Sequence, residues 1–158
     1  MLKKIFFGLV VSFILIQFYR PERTNPVVEG KSINAPANVA AILERSCYDC
    51  HSNNTVWPWY TNIAPVSIFT ITHVNDGRKE LNFSEWETYN EKRKLKKFKE
   101  IVEQVNEGEM PLESYLYLHG NAKLSDEDIA TLCEWAKSNG GIEDEEAKED
   151  EDDEGSEN

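Results

Sequence analysis

Cys47-Tyr48-Asp49-Cys50-His51 is the stretch of this chain whose residue types and spacing can do chemistry. Two cysteines three apart, followed at once by a histidine, form the attachment signature of c-type haem. On one helical turn the thiols of Cys47 and Cys50 reach the two vinyl groups of a single porphyrin. They form thioethers there, and His51 projects from the same turn onto the proximal side of the iron. A disulfide, a thiol redox pair or half of a zinc site are the alternatives. A structural zinc site needs four ligands, and Cys133 is the one further cysteine. A thioredoxin-type pair needs a βαβ setting, which the flanking sequence does not offer. The pattern predicts one covalently attached haem c.

Gly108-Glu109-Met110-Pro111 is the second informative stretch. Apart from the initiator, Met110 is the chain's only methionine. In a non-helical turn after a glycine it is placed to aim its thioether at the far face of the iron, where a soft sulfur favours the reduced metal. The competing role is to fill a gap in the core. His73, on a predicted helix, is the alternative sixth ligand, and His119, in a connecting segment, is a weaker one; a lone histidine in either place is commonly structural. Trp57, Trp59 and Tyr60 supply rings with a polar edge for the wall of a haem pocket. Arg78 can pair with a propionate. For these four residues, ordinary packing or solvent exposure is the plainer alternative.

The elements that must position these residues follow from pattern. Lys3 and Lys4 precede an uncharged, mostly apolar run from Ile5 to Tyr19, as in a secretory signal. The run is short for a full span, and no small-residue cleavage site follows it. Residues 1–20 are therefore expected to be an uncleaved signal anchor, with a cleaved signal peptide as the alternative. The lysines would stay cytoplasmic. The rest would face the periplasm at the inner membrane, or be soluble there after cleavage. Residues 21–34 carry Pro21, Pro26 and Gly30 without periodicity and read as a tether.

Four helices are then predicted. The first starts at Pro36, with Val39, Ile42 and Leu43 on one face, and runs into the haem motif. The second runs from Pro65 to Gly77, where the glycine would end it. The third opens on Ser84-Glu85-Trp86-Glu87, which has the form of a capping box, and continues to Glu107. The last starts at Ser125 and stops at Asn139-Gly140-Gly141, with Ile129, Leu132, Cys133 and Ala136 on its apolar face. No segment alternates as a strand would. The expected fold is all-α: a cytochrome c-like bundle of about four helices over residues 35–141, closed around the haem. Lys92, Arg93, Lys94, Lys96, Lys97 and Lys99 make the third helix basic and read as a solvated face; a docking patch for an acidic partner is the alternative.

The formal net charge of −12 is concentrated at the C-terminus, where residues 142–158 hold eleven acids against Lys148 alone. That tail is expected to be disordered, and the remainder is close to neutral. No basic stripe exists to neutralise phosphates, so nucleic acid is excluded as a partner class.

These residues resemble the small haem-binding domain family of exported bacterial proteins, a branch of the class I cytochrome c type. The resemblance rests on four stretches in order: Cys47-Tyr48-Asp49-Cys50-His51-Ser52-Asn53; Trp57-Pro58-Trp59-Tyr60 with Ile63-Ala64-Pro65-Val66-Ser67; Leu81-Asn82-Phe83-Ser84-Glu85-Trp86; and Gly108-Glu109-Met110-Pro111. It covers roughly residues 35–139. It implies a single covalent haem c, with His51 matching the proximal ligand and Met110 the methionine ligand of cytochromes c. His73-Val74 before Gly77-Arg78 also falls within the family pattern. The expected function is one-electron transfer to an unidentified redox partner protein, making the chain more an electron carrier than an enzyme. The rivals are a haem peroxidase or gas-sensing centre with an open sixth site, and a non-haem thiol or zinc module.

Overall fold

A computed structural model describes residues 1–140. The acidic tail expected from residue 142 lies outside the described residues. These contain seven α-helices and three short 3-10 helices, with no strand, so the fold is all-α. The chain divides into two compact units, with the boundary between Tyr89 and Asn90, inside the span 35–141 that the sequence suggested as one domain.

The first unit holds α1 (Leu2–Ile16), α2 (Ala37–Ser46), α3 (Tyr48–His51) and α4 (Val66–Glu80), with 3-10 turns at Trp59–Asn62 and Phe83–Thr88. Helix α2 buries Val39, Ile42 and Leu43, the face that its spacing predicts. Helix α1 buries no residue, and no helix among the described residues is long and apolar enough to cross a membrane. Fifteen residues at about 1.5 Å each give roughly 22 Å, against about 30 Å of hydrocarbon. Residues 21–34 have no regular element, yet they are bonded to the unit: Ile33 N–H donates to the Phe83 carbonyl and Glu87 N–H to that of Lys31.

Two predicted helix ends move. Helix α4 continues through Gly77 to Glu80, because Gly77 is helical and serves packing, as described below. The helix expected from Ser84 does not start there. The Ser84 hydroxyl accepts from Asn53 N–H instead of capping, and Asn82 accepts from Ser84 N–H to open a 3-10 turn. The long helix α5 (Glu91–Asn106) begins only after Asn90, whose side chain accepts from Arg93 N–H. The turn before α5 carries the buried rings of Phe83, Trp86 and Tyr89, and the half-buried Tyr48 of α3 extends the row. Successive centroids are 5.6 Å apart for Tyr48 and Phe83, 6.3 Å for Phe83 and Trp86, and 5.8 Å for Trp86 and Tyr89.

The second unit pairs α5 with α7 (Asp126–Ser138), linked through α6 (Glu113–Leu116) and a 3-10 turn at Gly120–Ala122. Phe98, Ile101, Val102 and Val105 of α5 and Leu132, Trp135 and Ala136 of α7 are buried. Phe98 meets Trp135 edge to face at 5.1 Å, a favoured geometry for two quadrupoles. Ser125 caps α7, as the sequence suggests, and with Asp128 it forms a full capping box. The basic middle of α5 is not uniformly solvated: Lys97 is 7 % exposed and donates to Glu100.

Candidate functional site

The chain breaks between α2 and α3 at Cys47, whose φ of −122° and ψ of −36° leave the helical region. A single tight turn follows, on which Cys50 N–H and His51 N–H both return to the Cys47 carbonyl, at 3.2 and 2.9 Å. Cys47, Cys50 and His51 therefore sit on one turn. So short a helix leaves its last carbonyls without intrahelical donors, and the polar residues after it supply them. Ser52 Oγ donates to the Tyr48 carbonyl at 2.8 Å and Thr55 Oγ1 to that of Asp49 at 2.7 Å. Val56 N–H donates to the Asp49 carboxylate at 2.9 Å.

Gly77 sets the distance from this turn to α4. A Cβ at Gly77 would lie 2.8 Å from the Cys50 carbonyl oxygen. The close approach brings the end of α4 to His51, whose Nδ1 is 3.0 Å from the carbonyl of Gly77 and 3.0 Å from that of Leu81. Both partners are acceptors, so Nδ1 carries the proton and the lone pair of the neutral ring is on Nε2. Carbonyl partners of this kind fix the tautomer of a histidine that ligates a metal through its other nitrogen.

The thiols are not set up for exchange chemistry. Burial pushes Cys47 up to about 12, with the neighbouring Cys50 adding to the rise. Burial, then the Asp49 charge, pushes Cys50 up to about 11. A redox-active Cys-X-X-Cys pair works through a lowered pKa. Among the described residues, no group of three or more His, Cys, Asp or Glu side chains converges to hold a metal ion, so the zinc alternative lacks its donor set. Two buried polar atoms without a partner among the described residues, Ser46 Oγ and Asn53 Nδ2, bracket the motif.

Around the motif, Tyr60 is half-buried, and burial raises its hydroxyl pKa, with the Asp49 and Cys50 charges adding. Trp57 is also half-buried. Trp59 is 74 % exposed. Arg78 lies on α4, and its guanidinium donates to the Ser52 carbonyl, the Thr24 carbonyl, Asn25 Oδ1 and Thr55 Oγ1, all within 2.8 Å. It ties the segment before α2 to the loop after the haem motif. His73 Nδ1 lies 2.9 Å from the Phe69 carbonyl, and its ring lies 4.0 Å from that of Phe69.

Met110 and His119 belong to the second unit. Helix α5 stops where Gly108 takes a φ of +73°, open to glycine. Glu109 N–H and Met110 N–H then both donate to the Gln104 carbonyl, at 3.0 and 3.2 Å, fixing the backbone of the half-buried Met110. His119 stacks on Tyr115 at 4.2 Å and 7°.

The sequence reading did not identify the supports of the motif: Ser52, Thr55, Gly77 and the Arg78 partners Thr24 and Asn25. Ser52-Asn53-Asn54-Thr55 did carry a signal, since short polar residues after a helical turn favour bonding to nearby backbone. The long-range partners carried none.

No curated protein and no solved structure matches the chain. The family model described as the haem-binding domain matches residues 11–138, a span that includes the motif turn, its supports and Met110. The chain belongs to the family of haem-binding domains.

Proposed function

We propose that the domain carries one haem c, joined to Cys47 and Cys50 and ligated by His51, and that it passes single electrons outside the cytoplasm. The observation that carries this reading is the His51 imidazole. Its Nδ1 proton is committed to the Gly77 and Leu81 carbonyls, on the one turn that also bears both thiols.

The bound haem supplies the ferric–ferrous couple. The chain's residues do the rest. Cys47 and Cys50 would hold the porphyrin through thioethers to its two vinyl groups. His51 presents Nε2, made more basic by the two carbonyl acceptors. Trp57 and Tyr60 exclude water from one side of the motif, and Arg78 holds the loop that follows it. For the sixth position we propose the Met110 thioether, on its local chemistry alone. The domain would face the periplasm, tethered at the inner membrane by residues 1–20, and exchange electrons with a protein partner.

The test is a pyridine haemochrome spectrum of the exported protein after denaturation and acid-acetone extraction. Haem that stays with the polypeptide and shows the thioether-shifted band supports the assignment. Haem that is extracted would mean binding without covalent attachment, and the c-type reading would fall.

A further inference from the structure

We propose that Trp59, Ile63, Val66 and Phe69 form a face that lies on the lipid surface, so that the haem domain rests against the bilayer instead of hanging from it. The inference rests on the reading of residues 1–20 as an anchor. The four side chains are 74, 41, 43 and 54 % exposed, and they come from the 3-10 turn at Trp59–Asn62 and the approach to and first turn of α4. From Val56 to Thr72 the chain has no Asp, Glu, Lys or Arg, although 29 % of its residues are charged. An exposed apolar stretch with no charge is unsuited to water, and contiguous apolar patches of this kind mark interaction surfaces.

The occupant follows from what this stretch is tied to. Gln17 lies one residue past the end of α1. Its carboxamide donates to the Ala64 carbonyl and accepts from Ala64 N–H, both at 2.9 Å. Ile63 and Val66 are within two residues of Ala64, so within about 7 Å along the chain. The end of a mostly apolar helix that buries no residue and the uncharged face thus share one place. Arg23 Nη1 donates to Thr61 Oγ1 at 3.2 Å, and a crevice of about 30 Å³ there is lined by Gln17, Tyr19, Arg20, Arg23, Thr61 and Asn62. Arginines beside a tyrosine at the end of an apolar helix are the composition of the headgroup level: the cations meet phosphates and the ring sits at the interface. Arg20 and Arg23 line the crevice at the anchor's end, on the side where phosphate headgroups would meet them.

The test uses the full-length holoprotein in phosphatidylglycerol vesicles, with and without bromine near the headgroup end of the acyl chains. Helix α1 contains no tryptophan, so the anchor itself does not contribute to the signal. Brominated lipid is expected to lower tryptophan emission, and Trp59→Phe to reduce that drop at least twofold. Equal quenching in Trp59→Phe, or none in the parent, would overturn the proposal while the protein still sediments with the vesicles after alkaline washing. Failure to sediment would instead remove the anchor reading, and this proposal with it. Retention of covalent haem in an Ile63→Ser, Val66→Ser variant is also expected; its loss would assign the face to the haem and overturn the lipid assignment.

Discussion

Gly77 and Cys50 touch backbone to backbone: a methyl group at Gly77 would sit 2.8 Å from the Cys50 carbonyl oxygen. No left-handed torsion is involved, so the requirement is for space. Gly77→Ala must push α4 away from the haem turn and stretch the bonds that His51 makes with Gly77 and Leu81. The expected cost is about 1–3 kcal/mol of stability, with a severalfold drop in covalently bound haem per polypeptide. Gly120→Ala, with nothing within 4 Å, is the control and should leave both unchanged. Haem content against thermal midpoint for the two variants checks this.

Arg78→Lys keeps the charge and loses the fork. Four acceptors from two separate segments cannot be met by one ammonium of different shape. The expected loss is about 2 kcal/mol in urea titration, together with faster proteolysis of residues 21–34. A variant as stable as the parent would show that the clamp is not a source of stability.

Met110→Ala is expected to convert the ferric centre from low-spin to high-spin and remove the sulfur-to-iron charge-transfer band. An unchanged spectrum would transfer the sixth position to His73 or His119. A parent protein that is already high-spin and binds carbon monoxide readily would favour the peroxidase or gas-sensing alternative.

Glu100 provides the pH-dependent term of the second unit. Burial tends to raise its carboxyl, but hydrogen bonds and charge from Lys97, then Lys96, bring it below its ordinary value. A depressed folded pKa contributes stability that is present above the unfolded value and is lost as pH falls through the folded one. Glu100→Gln should therefore cost about 0.3–0.5 kcal/mol near neutral pH, since solvent screens a pair of this exposure, and flatten the acid limb of the unfolding curve, with the two proteins converging below the ordinary carboxylate range.

What could be read from the sequence follows physical range. The Cys47–His51 turn, the apolar face of α2 and the Ser125 cap depend on neighbours within four residues, and they stand where the pattern puts them, while on α7 Trp135 is buried with Leu132 and Ala136 and leaves Ile129 and Cys133 half-buried. Ser84 shows the limit. Its capping-box pattern is sound, but Asn53, far away in sequence, takes the hydroxyl, so the helix waits for Asn90. Gly77 likewise reads as a helix stop until the Cys50 backbone is beside it. Lys97 looks like its basic neighbours on α5, and only the packing of the second unit hides it from solvent.

The bonds of Arg78 also determine where a pull would be felt. A protein held at its N-terminal end meets drag and crowding as tension along residues 17–34. Gln17 grips Ala64, and Arg78 grips Thr24 and Asn25. On the proposal that residues 1–20 are an anchor, force entering from that end is loaded in shear onto these side-chain clasps before it reaches Cys47, and the Cys47–His51 turn is spared the strain of its own mooring.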